Sequence, residues 1–169
     1  MRVLGIDPGY ERLGVAILER DNGKDKLLFS DCLRTDKDQP LSERIFKLGQ
    51  DVEDLIKKWS SDALAIEKLF FTTNQKTAMG VSETKGAVTY VARRSGMAIY
   101  EYTPLQVKIA IAGYGKATKD QVIYMLGNIL KIDKKEQIKH DDEFDAIAIG
   151  LTCLVSEKAG YPQSPCKKI

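Results

Sequence analysis

The sequence predicts a single α/β domain, and three observations carry that reading. Three strand-like segments, Val3 to Asp7, Leu13 to Glu19 and Leu27 to Arg34, fill the first 34 positions, and the apolar spacing switches to 3.6 residues after Pro40. Short apolar runs, Ala63 to Glu67 and Met97 to Tyr102, stand between helix-period segments. The 169 residues, 43% apolar and 30% charged, suit one globular unit. A domain of this size removes about 70% of its unfolded surface from water, so it folds without staples.

Element by element, Val3 to Asp7 reads as a buried strand, Leu13 to Glu19 as an alternating second strand and Leu27 to Arg34 as a third, with turn chemistry at Asp21-Asn22-Gly23. Leu41, Ile45, Leu48, Val52, Leu55, Ile56 and Trp59 line one face of a helix over 41–59. Ala63 to Glu67 is a buried strand that ends in an acid, and a second helix is expected from about Asn74 to Arg94. Met97 to Tyr102 is a strand, after which Pro104 opens a helix that Gly113-Tyr114-Gly115 breaks. Thr118 can cap the next helix through Leu130, and Asp141 or Asp142 a last one through Glu157. The predicted order is βββαβαβααα. The domain is expected to span 1–157, with a disordered basic tail over 158–169 that Pro162 and Pro165 punctuate.

Cys32, Cys153 and Cys166 form no C-x-x-C pair, so neither a disulfide framework nor a zinc knuckle is expected, and a reducing cytoplasm suits the chain. The N-terminus enters a strand at once, leaving no room for a secretory signal. The longest nearly uncharged apolar run, Ala146 to Val155, is half a membrane span. The net charge of +2 conceals structure. Residues 1–92 carry 14 basic and 15 acidic side chains, Arg93 to Lys139 nine against four, and His140 to Glu157 five acids with no Lys or Arg. A basic stretch before an acidic cluster suits a metal-dependent enzyme acting on a polyanion, because cations hold phosphates and carboxylates hold the metal. A solvated helix face followed by an acidic helix start has the same composition.

Three segments place acids where chemistry is plausible. Gly5-Ile6-Asp7-Pro8-Gly9 places Asp7 at a strand end before a tight turn, although Asp-Pro-Gly is also ordinary turn chemistry. Glu67 leaves an otherwise apolar strand, at an exposed end or as a buried carboxylate that needs a partner. In Asp141-Asp142-Glu143-Phe144-Asp145, Asp142 and Asp145 share a helix face, and capping explains one acid better than two. If strand ends and helix start converge, like charges about 4 Å apart repel by roughly 4 kcal/mol at an effective dielectric of 20, so something positive must offset them. Carboxylate oxygens without His or Cys suit Mg²⁺ or Mn²⁺. Two such ions about 4 Å apart can activate water and stabilise a phosphodiester's leaving oxygen.

Five segments, in order, resemble the motifs of RuvC, the bacterial Holliday junction resolvase family. They are Met1 to Gly14, Ala65 to Phe70, Thr103 to Lys108, Gly113 to Lys119, and Asp142 to Ala148. The resemblance spans about 1–156. It implies an RNase H-like fold with a mixed five-stranded sheet flanked by helices, a homodimer, and Mg²⁺-dependent symmetrical nicking of four-way DNA junctions alongside RuvA and RuvB. Mn²⁺ is an expected substitute, with two ions per site. Asp7, Glu67, Asp142 and Asp145 match the family's catalytic, metal-holding acids. Spacing favours Asp142 over Asp141, and His140 is a flanking residue able to polarise a water. Phe70 matches an aromatic that enters the junction crossover, and Lys108 and Lys119 match DNA-contacting bases. Gly113, Gly115 and Lys116 fall in a glycine loop that approaches phosphate, and Asn74, Gln75 and Lys76 in a segment that faces the junction.

Two other readings fit less. Gly5-Ile6-Asp7-Pro8-Gly9 also resembles the phosphate loop of actin-like ATPases and sugar kinases, but those need two lobes. A junction-binding protein without catalysis would not need all four acids. Helix 74–94 is the candidate dimer surface through Ala78, Val81, Val88, Val91 and Ala92, unless that face packs on its own sheet.

Overall fold

The computed structural model describes residues 1–69, 75–132 and 138–158. Strand β1 (Arg2–Asp7) is apolar on both faces because helices cover both. Val3 joins one core with Ala16, Leu18, Ala63 and Ala65. Leu4 and Ile6 join another with Leu13, Val15, Ile17, Leu64 and Ile66. β1 pairs antiparallel with β2 (Arg12–Asp21), which pairs antiparallel with β3 (Lys24–Arg34). β4 (Ala63–Glu67) and β5 (Ala98–Tyr102) extend the sheet in parallel on the other side, giving the order β3-β2-β1-β4-β5. Among the described residues this is a mixed five-stranded sheet with five helices, as the sequence predicts.

Helix α1 (Leu41–Trp59) buries Arg44, Leu48, Val52 and Ile56, one residue per turn along a single stripe. It packs with α2 (Gln75–Arg94) on the Leu4 and Ile6 face. Helices α3 (Pro104–Ala112) and α4 (Lys119–Leu130) start in capping boxes, Thr103 with Gln106 and Thr118 with Gln121, which satisfy backbone N–H groups otherwise left open. With α5 (Asp141–Lys158) they cover the opposite face.

α5 lies against the sheet with almost nothing between. A methyl group at Gly5 would collide with the Ala146 carbonyl and stand 2.8 Å from the Gly150 nitrogen. One at Gly14 would overlap the Asp142 carbonyl. Backbone therefore meets backbone along the line that carries the helix start to the end of β1.

One expectation changes. Val88, Val91 and Ala92 of α2 sit in the protein's own core, so that row is not a free surface, while Met79 and Tyr90 on the same helix are exposed. α5 ends at Lys158, next to the expected helix end near Glu157. Of the expected tail over 158–169, residues 159–169, Cys166 among them, lie outside the described residues. Cys32 and Cys153 are free and buried. Among the described residues no helix is long and apolar enough to cross a membrane.

Candidate active site

Topology brings the acids together. β1 and β4 are adjacent and parallel, with Ile6 opposite Ile66, so Asp7 and Glu67 leave neighbouring strand ends at the same edge. A crevice outside the carboxyl ends of parallel strands is where open α/β sheets place ligands. Gly14 stands opposite Asp7 in the ladder, and the first turn of α5 rests on Gly14, which delivers Asp142 to the same edge. Asp145 follows three residues later on the same helix face. Asp7, Glu67 and Asp145 line a cleft of about 280 Å³ together with Lys108 and Lys119, over apolar walls that include Phe144, Leu126 and Ala148.

The carboxylates act on one another. Burial, then the charges of Asp145, Glu67 and Asp142, push the pKa of Asp7 up to about 7, with Lys119 pulling the other way. Burial and Asp145 also raise Glu67, against the attraction of Lys85. Lys119 Nζ lies 2.9 Å from Asp145 Oδ2 and 3.6 Å from Asp141 Oδ2. Partial burial disfavours its charge, but the bond to Asp145 and the attraction of both acids outweigh that and raise its pKa.

Asp142 faces inward and Asp141 does not: their side chains are 18% and 80% exposed. Asp142 Oδ2 stands 3.6 Å from both Arg12 Nε and the Cys32 thiol. Burial, followed by the Asp142 charge, raises the Cys32 pKa, which keeps the thiol protonated. Arg34 Nη2 is 3.3 Å from each ring nitrogen of His140.

Among the described residues no three His, Cys, Asp or Glu side chains are gathered into a ready ion cage. Lys119 and Arg12 offset the charge of Asp145 and Asp142 instead. The donor set still fits a hard divalent cation. Four carboxylates outnumber the nearby lysine and arginine, all donors are oxygens, and burial followed by the neighbouring acids raises the Asp7 pKa to about 7, a cost that a bound cation would relieve.

The remaining predicted positions divide. Lys108 and Lys119 line the acidic cleft, whereas Lys116 is exposed and outside it. Gly113 is the left-handed cap of α3 (φ 82°), and Gly115 packs against Leu105, so both have structural reasons to lack a side chain. Phe70 and Asn74 lie outside the described residues, as do the side chains of Gln75 and Lys76.

Four residues at the site escape sequence reasoning. Arg44, 6% exposed, stacks 4.8 Å from the Tyr10 ring centre and donates to the Tyr10 carbonyl (3.2 Å) and Thr35 Oγ1 (2.9 Å), clamping the turn after Asp7. Lys85 pairs with Glu101 beside Glu67. Glu143 is buried and accepts from Ser30 Oγ (2.7 Å) and from the backbone N–H groups of Lys139 and His140 (3.1 Å each), which orders the entry to α5. Cys32 reads as core. Glu143 carries a sequence signal, an acid three residues into a helix that can reach back to its first amides, and so does Arg44, one turn before Leu48 on the apolar stripe of α1.

A β3-β2-β1-β4-β5 sheet with helices on both faces, and acids at the ends of the two central parallel strands and at the start of the last helix, defines an RNase H-like fold with a carboxylate-rich site. The chain belongs to the crossover junction endodeoxyribonuclease RuvC family, whose model matches residues 3–153. It is 41% identical over 165 residues to the Caldanaerobacter subterraneus crossover junction endodeoxyribonuclease RuvC, covering 95% of this chain and 99% of that one. The Desulforamulus reducens protein of the same name is 40% identical over 151 residues, covering 89% and 91%. T. thermophilus RuvC in complex with Holliday junction substrate superposes with a TM-score of 0.88 at 33% identity, covering 95% and 96%. A fowlpox virus resolvase bound to Holliday junction DNA (TM-score 0.62, 16% identity, covering 91% of this chain and 99% of that one) shares the fold.

Proposed function

We infer that this protein is a structure-selective endonuclease that resolves four-way DNA junctions by paired, symmetrical nicks. The observation that carries the reading is the cleft in which Asp7, Glu67 and Asp145 meet Lys108 and Lys119, with Asp142 at its edge, in a chain of the RuvC family. Asp7, Glu67, Asp142 and Asp145 are the catalytic acids and would hold Mg²⁺, or Mn²⁺ in its place, with two ions per site. Bound there, the ions supply Lewis acidity to the scissile phosphodiester and acidify the attacking water.

The chain's own groups do the rest. Lys119 stands beside Asp145 in the cleft and is placed to bind a phosphate oxygen of the cut strand. Lys108, which also lines the cleft, holds the backbone of the cut strand. Phe144, Leu126 and Ala148 give the cleft an apolar wall beside the acids. Phe70, Asn74, Lys76, Gly113, Gly115 and Lys116 belong to the DNA-contacting surface in this reading. Two symmetric cuts need two such sites, hence a homodimer, with Met79 and Tyr90 of α2 among the exposed apolar residues that could serve it. RuvA and RuvB are the expected partners, the cytoplasm the expected compartment, and 1–157 the catalytic domain.

The test is a mobile four-way junction incubated with and without Mg²⁺, with nicks mapped on all four strands. Paired cuts at symmetric positions, only with the ion, are expected. Cleavage without divalent ion, or equal cutting of linear duplex, overturns the reading.

A further inference from the structure

β3 runs along the sheet edge beneath the start of α5, and three of its residues reach that start in sequence. Ser30, Cys32 and Arg34 are two apart, so they share a strand face. Ser30 Oγ donates to Glu143 Oε2 at 2.7 Å, the Cys32 thiol donates to Asp142 Oδ2 at 3.6 Å, and Arg34 reaches His140 at 3.3 Å. The rungs thus grip residues 143, 142 and 140. Cys32 also stands opposite Gly14, which stands opposite Asp7, so one row across three strands carries an acid, a bare Cα and a thiol. The Asp142 backbone rests on the bare Cα, and its carboxylate meets the thiol.

We propose that Cys32 is a positioning residue for Asp142, its S–H holding one carboxylate oxygen so that the side chain is oriented before a cation arrives, with Ser30 securing the same turn through Glu143. The inference rests on the assignment of Asp142 to the ion-holding acids. A buried, neutral donor suits this task better than Arg12, the other group on the same oxygen. Arg12 carries a charge that competes with an incoming cation, and its side chain is 61% exposed. A thiol orients the carboxylate without repelling the ion, and partners of this kind around a metal ligand raise affinity by restricting its rotation.

Three substitutions separate this role from packing. Cys32→Val keeps an apolar side chain of similar size without a donor, Cys32→Ser keeps a donor but adds polarity to the core, and Asp142→Asn removes the ligand charge. Mn²⁺ binding to the full-length, DNA-free protein is followed by electron paramagnetic resonance, and junction cleavage is titrated with Mg²⁺. Cys32→Val is expected to weaken Mn²⁺ binding about tenfold. It should raise the half-saturating Mg²⁺ concentration in proportion, with the rate at saturating ion recovering. Cys32→Ser should stay within about twofold of wild type, as one hydrogen bond replaces another. A packing role gives the reverse order, with Val the better replacement, and that order overturns the proposal, as does equal loss in both. Should neither Cys32 variant fold by thermal melting, Ser30→Ala carries the test: reduced Mn²⁺ affinity supports the gripped turn, and unchanged affinity overturns it. If Asp142→Asn binds Mn²⁺ like wild type, the acid assignment fails and the inference with it. If Asp142→Asn loses binding while Cys32→Val does not, only the inference fails.

Discussion

Replacing Asp7 by Asn should remove cleavage and, in metal-free buffer at pH 8, make the protein more stable. Asp7 is shifted from an ordinary 3.8 to about 7 by burial and by Asp145, Glu67 and Asp142. A carboxyl whose folded pKa is raised binds more protons folded than unfolded between those two values, so stability falls as pH rises from about 4 through about 7. Three units at about 1.4 kcal/mol each set an upper bound of about 4 kcal/mol, and water and counter-ions in the open cleft reduce this to about 2 kcal/mol. For a chain of this length that corresponds to about 4 to 8 °C in Tm. Asn keeps the shape and never takes the charge, so the variant should melt higher than wild type at pH 8 in EDTA, and the gap should close near pH 4. Junction binding, followed by gel shift in EDTA, should persist. Equal or lower melting of Asp7→Asn at pH 8, or a gap independent of pH, would show that these acids do not crowd one another and would refute the electrostatic argument for a cation.

Three further outcomes follow from the same geometry. Lys119→Ala should slow single-turnover cleavage at saturating junction by about 10²-fold, as removal of one charge-stabilising donor does. Its melting curve should move little, because a pair 48% and 45% exposed contributes under about 1 kcal/mol. Gly14→Ala should cost about 1 to 3 kcal/mol, since the methyl meets the Asp142 carbonyl, and should raise the Mg²⁺ needed for cleavage in a titration. Lys108→Ala should weaken junction binding at low salt and lower the slope of log affinity against log salt by about one, read by fluorescence anisotropy across a salt series.

Leu41–Trp59, Ala63–Glu67 and Lys119–Leu130 were legible to the residue because period, turn chemistry and caps all change at their ends. β2 and β3 run longer than their apolar alternation. Pairing continues through Arg20 with Asp25 and Asp21 with Lys24 to a tight turn at Asn22 and Gly23, both at positive φ, because strand hydrogen bonds do not require burial. The convergence of the acids was legible because each ends or begins an element. Cys32 and Lys85 were not, since a thiol in a strand looks like core, and a lysine in an amphipathic helix looks like its solvated face. Arg44 stands on the apolar stripe of α1, which signals its burial but not its partners. What buries these side chains is the third dimension: an adjacent strand end for Lys85, the turn after Asp7 for Arg44. The apolar row of α2 illustrates the same limit, because a face that packs inward and a face that packs on a second copy have the same periodicity.

The glycine contacts under α5 separate the variability of the core from the placement of the carboxylates. Where side chains fill the space between helix and sheet, each exchange of a larger for a smaller residue alters the gap, and whatever the helix carries moves with it. At Gly5 and Gly14 main-chain atoms of the helix and the sheet meet directly, so the spacing at these points does not depend on the size of an intervening side chain. The neighbouring apolar positions are therefore free to drift in sequence while the reach from the end of β1 to the first turn of α5 stays constant. A lineage can exchange much of its interior and still inherit the same spacing between Asp7 and Asp142, provided these two positions never acquire a side chain.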